Sequence, residues 1–562
     1  MEADGSAEMA APHSGAAGGP PPGHRRLGRL SLTGAAVGLV LAGMSSTPSL
    51  VPRGWLVNAV LVGVCAATGY AVGAAVGWGW RVLSLPTLGT VSRRRGWWAV
   101  GLVALVGTLI LGWLSREWQR EQRELFGMDP GVTWWWLATP VLGLVIAAVL
   151  LGVGRGVKLV GRFAFRVVRR VLPERASWLV AALSTAALVW VGLAVTVTVL
   201  LYVASRSFVA SDLQDYAGVT QPASAHRSGG PASVVEWGDI GREGRAFVTG
   251  GPSASDIATV MSDPGAAEPV RAYVGLGSPG TAQDRAETAI RELHALGAFQ
   301  RSAIAVAGTT GTGWIDPEAA AALEYVARGD VATVATQYSF FPSWMSFMSD
   351  RGAAERNSEL LITALRVELD GMPASDRPSL YVYGESLGAF STDNAFTSVE
   401  DISTTTDGAL LIGPPSFDRN WQKVQEGREP GSALWQPAYG SGELVRAADT
   451  DEDITDQTLT WRTDNPIIYL SHASDPVVAW TADLGEWLEN PGPDTHPATI
   501  AWPVVGAVQT TLDQLGATAV PPGHGHVYDE TVVTAWSEIL GPPSLPDEQI
   551  DAIRSAVRVP SP

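Results

Sequence analysis

The chain has 562 residues, which is too many for one compact domain. Its net charge of −18 is unevenly distributed: residues 1–205 hold 18 Lys and Arg against 8 Asp and Glu, whereas residues 206–562 hold 20 against 48. The single cysteine, Cys65, excludes an intramolecular disulfide and a thiol-ligated metal site. A surface that binds nucleic acid is basic, whereas the second half of the chain is acidic, so we expect no nucleic-acid partner. The difference in charge between the two halves predicts two units in different environments.

The first 205 residues are predicted to be a membrane unit behind a short tail. Residues 1–24 are rich in Ala, Gly and Pro without periodicity, which is typical of a disordered segment. The predicted transmembrane region is 25–205, and its apolar segments are long enough for about five spans. These segments lie at about 31–50, 55–80, 97–114, 133–152 and 177–204. Pro48 interrupts the first segment, which could instead be an uncleaved signal-like helix.

Loop charges predict the orientation of these spans, because Lys and Arg favour the cytoplasmic side. Basic residues dominate the N-terminal tail and the second and fourth loops, whereas the first loop has only Arg53 and the third has balanced charge. The basic residues are Arg25, Arg26 and Arg29, then Arg81, Arg93, Arg94 and Arg95, then Arg155, Lys158, Arg162, Arg166, Arg169, Arg170 and Arg175. We expect a multi-pass protein of the cell membrane with a cytoplasmic N-terminus and the acidic domain outside.

The basic stretch at 156–172 has two interpretations. Its amphipathic pattern fits a helix lying on the cytoplasmic leaflet and attracted to membrane lipids, and it fits an ordinary positive-inside loop equally well. The spans themselves lack ionisable residues in their central portions, which favours an anchor over an ion-coupled transporter.

After a linker at 206–235, residues 236–562 alternate short apolar runs with amphipathic segments. Such alternation predicts strands joined by helices and therefore a mostly parallel sheet with helices on both faces. Predicted strands lie at 271–276, 302–308, 331–338, 379–384, 408–413 and 466–472, with a last one at Ala519-Val520. Ligands of such sheets bind beyond the carboxyl ends of the strands, which is where catalytic residues are expected.

Ser386 lies at such a position, in the stretch LYVYGESLGAF. The pattern G-x-S-x-G occurs often by chance in a chain with 62 glycines. Here, however, a predicted strand precedes the pattern and a predicted helix follows it, which is the setting of a nucleophile elbow. The small flanking residues permit the tight turn, and the helix start directs its amides at the reacting centre.

A serine nucleophile needs a base and an orienting carboxylate, expected in the chain order Ser, acid, His. Asp475 follows the strand PIIYLSH and is the candidate acid, although an Asp before Pro can simply cap the next helix. The candidate bases are His524 and His526 in PPGHGHVYD, between the last predicted strand and the last helix. We favour His526, with His524 as the alternative; a surface His-Gly-His that binds metal adventitiously is the competing interpretation.

These stretches, with RAYVGLGS, DGALLIGPP and the apolar N-terminal portion, resemble the α/β-hydrolase superfamily. More narrowly, the chain is similar to a family of actinobacterial membrane-anchored α/β-hydrolases with a multi-span N-terminal region. The resemblance implies a transmembrane α-helical region followed by an α/β-hydrolase catalytic domain. It also implies a triad of Ser386, Asp475 and His526, and it adds little about the substrate.

The remaining parts of the site are expected from their positions. The amide of Leu387 should donate to an oxyanion, with a second amide from Thr309 or Thr310 in AGTTGTGW, for which GSPG at 277–280 is a rival. Neither loop matches a phosphate-binding loop, and we expect no metal and no cofactor. The aromatic run at 337–347 could line an acyl pocket or belong to the core, and 413–421 could form a pocket wall.

The hypothesis from sequence is a membrane-anchored serine hydrolase that cleaves a carboxylic ester, with a lipid or acylated envelope component as substrate. An acyltransferase using the same triad is an alternative, as is a non-catalytic hydrolase-like binding module of a membrane assembly. A transporter with an outer cap is a third possibility. The sequence does not indicate an oligomeric state.

Overall fold

A computed structural model describes residues 30–86, 89–131, 138–456, 461, 465–480, 483–528, 530–541 and 545–558. The predicted tail at 1–24, Arg25, Arg26 and Arg29, and residues 133–137 of the fourth predicted span lie outside these ranges.

The N-terminal region is a group of apolar helices. They are α1 (Leu32–Met44), α2 (Trp55–Val82), α3 (Thr90–Leu125), α4 (Thr139–Val168) and α5 (Glu174–Asp212). Four of them, α2 to α5, are long and apolar enough to cross a membrane. The first predicted span is represented by α1, whose 13 residues cover only about 20 Å at 1.5 Å per residue. The stretch 156–172 forms no separate surface helix, because α4 continues to Val168.

Helices α1 and α2 pack backbone to backbone through small residues. A Cβ placed on Gly38 would lie 2.8 Å from the carbonyl oxygen of Ala66, and one on Gly73 would lie 2.5 Å from that of Thr33. Glycines are required at such contacts between helices because any side chain would separate them. An apolar cavity of about 490 Å³ lies among α1, α2, α3 and the start of α4.

The helix ends alternate between two sides of the group. The 45–53 loop, which joins α1 to α2, contacts the later part of the chain through Arg53 and Asp513. Phe126, after α3, stacks on His524, and Asp212, at the end of α5, accepts a hydrogen bond from the Arg242 amide at 3.2 Å. Leu85 and Pro86 after α2, and the connection at 169–173, therefore lie at the opposite end.

The α/β domain, which follows Asp212, contains a seven-stranded parallel sheet within the described residues. Its strands are β1 (Val270–Val274), β2 (Ala303–Gly308), β3 (Val331–Thr336), β4 (Ser379–Glu385), β5 (Gly408–Ile412), β6 (Val445–Ala448) and β7 (Ile467–Leu470), in the order β1-β3-β2-β4-β5-β7-β6. Apolar strand residues are almost all buried, as expected for a sheet covered on both faces.

The helices of this domain alternate with its strands. They are α6 (Arg242–Thr249), α7 (Ala254–Val260), α8 (Ala282–Leu296), α9 (Pro317–Val326), α10 (Ser343–Ser349), α11 (Arg351–Asp370), α12 (Leu387–Asp393), α13 (Val399–Thr405), α14 (Arg419–Glu426), α15 (Asp451–Ile454), α16 (Leu484–Trp487), α17 (Val505–Asp513), α18 (Thr531–Ile539) and α19 (Asp547–Val557).

Two features of the sheet differ from the sequence prediction. Ala519-Val520 is not a strand: it follows the end of α17 as a turn, and the prediction was wrong there. The edge position beside β7 is instead filled by β6, whose sequence VRAA is too short and too polar to stand out as a strand. Six predicted strands, at β1 to β5 and β7, are confirmed.

Candidate active site

Ser386 stands in a sharp turn between β4 and α12. Its backbone has φ 57° and ψ −122°, a conformation that side-chain-bearing residues rarely adopt. The turn is held because the Ser386 amide donates to the Ile412 carbonyl at 2.9 Å and the Ser386 carbonyl accepts from the Phe390 amide at 3.0 Å. Strain of this kind persists only where the surroundings fix it, and it occurs preferentially at functional sites.

Three glycines make this turn possible. A Cβ on Gly384 would lie 2.3 Å from the carbonyl carbon of Gly388, and one on Gly388 would lie 2.4 Å from the carbonyl oxygen of Gly308. The backbones of β2, β4 and α12 therefore meet at a point with no room for a side chain. The glycines of the G-x-S-x-G pattern are explained by this contact.

The predicted oxyanion donors lie around this contact. Leu387 is the first residue of α12, so its amide is one of the N-terminal donors that the helix leaves free. Thr309 directly follows Gly308, and its side-chain hydroxyl donates to the Thr336 carbonyl at 3.0 Å. The Thr310 amide, by contrast, donates to the Trp314 carbonyl at 2.9 Å. The rival loop at 277–280 follows β1, which lies at the far edge of the sheet and is separated from β4 by two strands, β3 and β2.

The structure brings Asp475 and His526 together. Asp475 lies just beyond β7, is fully buried, and its Oδ2 is 2.6 Å from Nδ1 of His526. The hydroxyl of Tyr528 donates to the same oxygen at 2.9 Å, while the Val477 amide donates to Oδ1 at 2.7 Å. In the described residues no helix begins directly after Asp475: its Oδ1 accepts the amide of a turn, and the next helix, α16, is capped by Asp483, so the interpretation as a helix cap is not supported.

The imidazole of His526 lies beside the backbone that supports Ser386. A Cβ on Gly413, the residue after Ile412, would be 2.8 Å from Cε1 of His526. The other ring nitrogen, Nε2, has no hydrogen-bond partner among the described residues. Hydrogen bonds between nucleophile and base are often long before substrate binds, so this geometry leaves Nε2 available to accept the proton of Ser386.

His524, the alternative base, is engaged elsewhere. Its Nδ1 lies 3.1 Å from Oδ2 of Asp494, and its ring stacks on Phe126 with centroids 4.5 Å apart. The Ser474 hydroxyl links Asp494 to the backbone between the two histidines, since it donates to Asp494 and accepts from the Gly525 amide. His524 therefore pairs with a different carboxylate and contacts the end of a membrane helix.

Two further acidic groups lie close to the elbow. Burial raises the pKa of the Asp316 carboxyl to about 6, although that carboxylate caps α9 by accepting from the Glu318 and Ala319 amides. Burial also raises the pKa of Glu385, next to Ser386, well above its ordinary range, with the charge of Asp316 as the second cause. Burial, and then nearby negative charge, thus favour the protonated form of Glu385 beside Ser386.

A cluster of apolar side chains, here called the apolar wall, begins directly after Ser386. Leu387 and Phe390 of α12 are buried against Tyr338, Phe417 and Trp480. The rings of Phe390 and Phe417 meet edge to face with centroids 5.3 Å apart. The aromatic run at 337–347 and the stretch at 413–421 thus each contribute a residue to this apolar wall, whereas Trp480 was missed because its contacts are set only by the fold.

The model of an alpha/beta-hydrolase family matches residues 270–553, and the model of that family's N-terminus matches residues 46–252. The chain belongs to this α/β-hydrolase family. No curated protein and no solved structure matches the chain significantly. Within the described residues, no cluster of three or more His, Cys, Asp or Glu is arranged to hold a metal ion.

The loop that carries His526 rests on the membrane unit. The His526 amide donates to the Ala517 carbonyl at 2.8 Å, in the segment that follows α17. A Cβ on Gly525 would lie 2.8 Å from that same carbonyl oxygen and 3.4 Å from the side chain of Val51 in the 45–53 loop. The loop between the first two helices therefore supports the histidine, a contact that no local sequence pattern reveals.

A buried ion pair holds this support in place. Nε of Arg53 lies 3.0 Å from Oδ1 of Asp513, and both side chains are almost completely buried. The Leu50 amide also donates to Asp513 at 3.3 Å, while Gln509 donates to the Thr47 carbonyl at 3.1 Å. The end of α17 is thus fastened to the membrane unit next to the segment that holds His526.

Proposed function

We propose that this protein is a membrane-anchored serine hydrolase that cleaves a carboxylic ester through an acyl-enzyme on Ser386. The observation that carries the proposal is the strained turn at Ser386, placed at the sheet edge where Asp475 binds His526. An ordinary turn would need neither a serine with positive φ nor three glycines packed closely around it. A binding module would not need a buried Asp-His pair beside that serine.

The geometry supports a two-step reaction. Oγ of Ser386 attacks the ester carbonyl while Nε2 of His526 accepts its proton, and Asp475 stabilises the imidazolium that forms. The alcohol then leaves with the proton from His526, and water, activated by the same histidine, releases the acid. Leu387 and Thr309 would donate their amides to the oxyanion; we favour Thr309 over Thr310, whose amide is already bound to Trp314.

Covalent labelling with a fluorophosphonate probe tests the proposal, because such probes react with activated serines. Wild-type protein should be labelled, and Ser386→Ala should not. His526→Ala should reduce labelling by about 10³-fold or more, since the serine then has no base. His524→Ala is the matched control and should retain most of the labelling. Wild-type protein as unreactive as Ser386→Ala would exclude the enzyme.

We propose further that the catalytic domain lies outside the cytoplasm. The arginine-rich connections lie at the helix ends that are far from the α/β domain. The 45–53 loop, which lies beside that domain, contains only Arg53. The substrate would then be a lipid or an acylated component of the envelope. A charged, membrane-impermeant thiol reagent should label Val367→Cys in intact cells; labelling that requires cell lysis would reverse the orientation.

A further inference from the structure

One stretch of the α/β domain has the composition of a membrane segment. Between Asp494 and Asp513 the chain has 18 residues without Asp, Glu, Lys or Arg, and they include IAWPVVGAV. This stretch ends in α17, and it was too short and too interrupted by proline to be predicted as a span.

The stretch packs on the sides of two membrane helices. Val505 is buried against Leu61 and Cys65 of α2. Trp502, Val508 and Leu512 are partly buried in the same cluster, which also contains Leu41 and Met44 of α1. The contact is therefore a continuous apolar interface between α17 and the α1–α2 pair.

The positions of these contacts give the depth of α17. Leu61 and Cys65 lie six and ten residues beyond Trp55, the start of α2, which corresponds to about 9 and 15 Å along the helix axis. At its other end, Asp513 contacts Arg53, just before α2 begins. Helix α17 thus runs alongside the first turns of α2, and its N-terminal end reaches about halfway into a hydrocarbon core of about 30 Å.

The opposite side of the stretch is apolar and open. Ile500 and Val504, near this deep end, are 43% and 67% exposed. Val504 also has φ +65°, a strained conformation for a β-branched residue. The backbone at this turn is internally bonded, since the Val505 amide donates to Pro503, and the Gly506 amide to Trp502. Irregular backbone at membrane depth requires such satisfied amides.

We propose that residues 498–512 form a re-entrant segment of the catalytic domain, inserted among the acyl chains of the leaflet on that side. Ile500 and Val504 contact the lipid, because they face away from α2 at the level of the span. We expect lipid, and not water, to cover these two side chains. An exposed apolar patch without charges usually marks a surface that is covered by a partner or a membrane, and this patch lies at the depth of the span.

The segment also leads toward the active site. The indole of Trp480 donates to the Thr511 hydroxyl at 3.1 Å, and Trp480 packs on the apolar wall formed with Leu387 and Phe390. A lipid ester leaving the bilayer beside α17 would therefore meet apolar side chains up to the nucleophile. This second step rests on the proposed hydrolase function, and it makes a membrane lipid of that leaflet the substrate class.

Site-directed spin labelling in lipid vesicles tests the insertion. Nitroxides are attached to Val504→Cys and, as control, to Val367→Cys of α11, which is 70% exposed, both in a Cys65→Ala background. The label at 504 should be accessible to oxygen and protected from a water-soluble nickel chelate, and the label at 367 should show the reverse. Access of the chelate to the label at 504 would overturn the insertion. Protection of this label from both reagents would overturn the lipid contact, because protein would then cover the position.

The substrate step needs a separate measurement. Val504→Asp places a charge where lipid is expected, so it should lower hydrolysis of a long-chain ester in vesicles by about tenfold or more. Hydrolysis of a soluble short-chain ester should be unchanged, and Val367→Asp should affect neither rate. Equal loss of both rates would overturn the lipid route. If wild-type protein hydrolyses neither ester, the proposed function fails, while the spin-label result still decides the insertion.

Discussion

The ion pair between Arg53 and Asp513 provides a test of whether the membrane unit supports catalysis. Asp513→Asn keeps the shape of the side chain but removes its charge and leaves the Arg53 guanidinium buried without an ionic partner. Breaking a buried pair from one side costs about 3–5 kcal/mol. Arg53 retains the Asn58 amide oxygen at 3.4 Å and the Thr47 carbonyl at 3.1 Å, so we expect the lower part of this range.

The effect should reach the candidate active site because Asp513 ends α17 and the segment after it supplies the backbone carbonyl of Ala517, which accepts from the His526 amide. Asp513→Asn should therefore lower the midpoint of thermal unfolding and also lower kcat for a soluble ester. Differential scanning fluorimetry and initial-rate measurements on the purified full-length protein give the two values. KM for a short ester should change less, since the variant does not touch the apolar wall.

The matched control is Asp263→Asn, which breaks the exposed ion pair of Asp263 and Arg328, 2.9 Å apart, at the surface of the α/β domain. Exposed pairs contribute about 0–1 kcal/mol, so this variant should differ little from wild type. If Asp513→Asn changes stability and kcat no more than Asp263→Asn does, the membrane unit does not support the histidine loop, and our reasoning is refuted.

Three further variants test the site itself. Tyr528→Phe removes a hydrogen bond to the Asp475 carboxylate, so kcat should fall by roughly tenfold with KM unchanged; an unchanged kcat would show that the remaining contacts suffice. Gly388→Ala should abolish fluorophosphonate labelling because its Cβ meets backbone, whereas Gly238→Ala, with nothing within 4 Å, should be neutral. Asp316→Asn keeps the α9 cap and should raise the unfolding midpoint at pH 7 but not at pH 4. The folded-state pKa of about 6 exceeds the usual 3.8, so wild-type stability is lost as pH rises through this window, by up to about 3 kcal/mol; equal midpoints at pH 7 would contradict this.

Local patterns were sufficient to predict the central sheet and the order of the proposed triad. Strands such as Ala303–Gly308 and Gly408–Ile412 are continuous apolar runs between helices, so their type follows from composition and period. The elbow could be predicted because a tight strand-to-helix turn requires glycines at fixed positions around Ser386. These features depend on residues that are close together in the chain.

The contacts that distinguish the two histidines could not be predicted, because they join distant parts of the chain. His524 binds Asp494 and stacks on Phe126, which lies almost 400 residues earlier. The occupied amide of Thr310 depends on a loop turn that returns to Trp314, and β6 forms a strand only because β7 offers it an edge. Tertiary pairing, and not local propensity, decides each of these features.

The interface between the two units argues against describing the membrane helices only as an anchor. An anchor requires a covalent connection, which α5 supplies where it enters the α/β domain at Asp212. The 45–53 loop makes a second connection, which tethering through α5 alone would not need. This connection buries the ion pair of Arg53 and Asp513, and the cost of desolvating the two charges must be offset by other contacts of the loop. Val505 would become exposed if the α/β domain were released, and His524 would lose its stacking on Phe126. The family's N-terminal match begins at residue 46, at the start of this loop. The membrane unit and the loop that carries His526 are therefore in direct contact, and Asp513→Asn tests whether this contact determines the position of the proposed catalytic histidine.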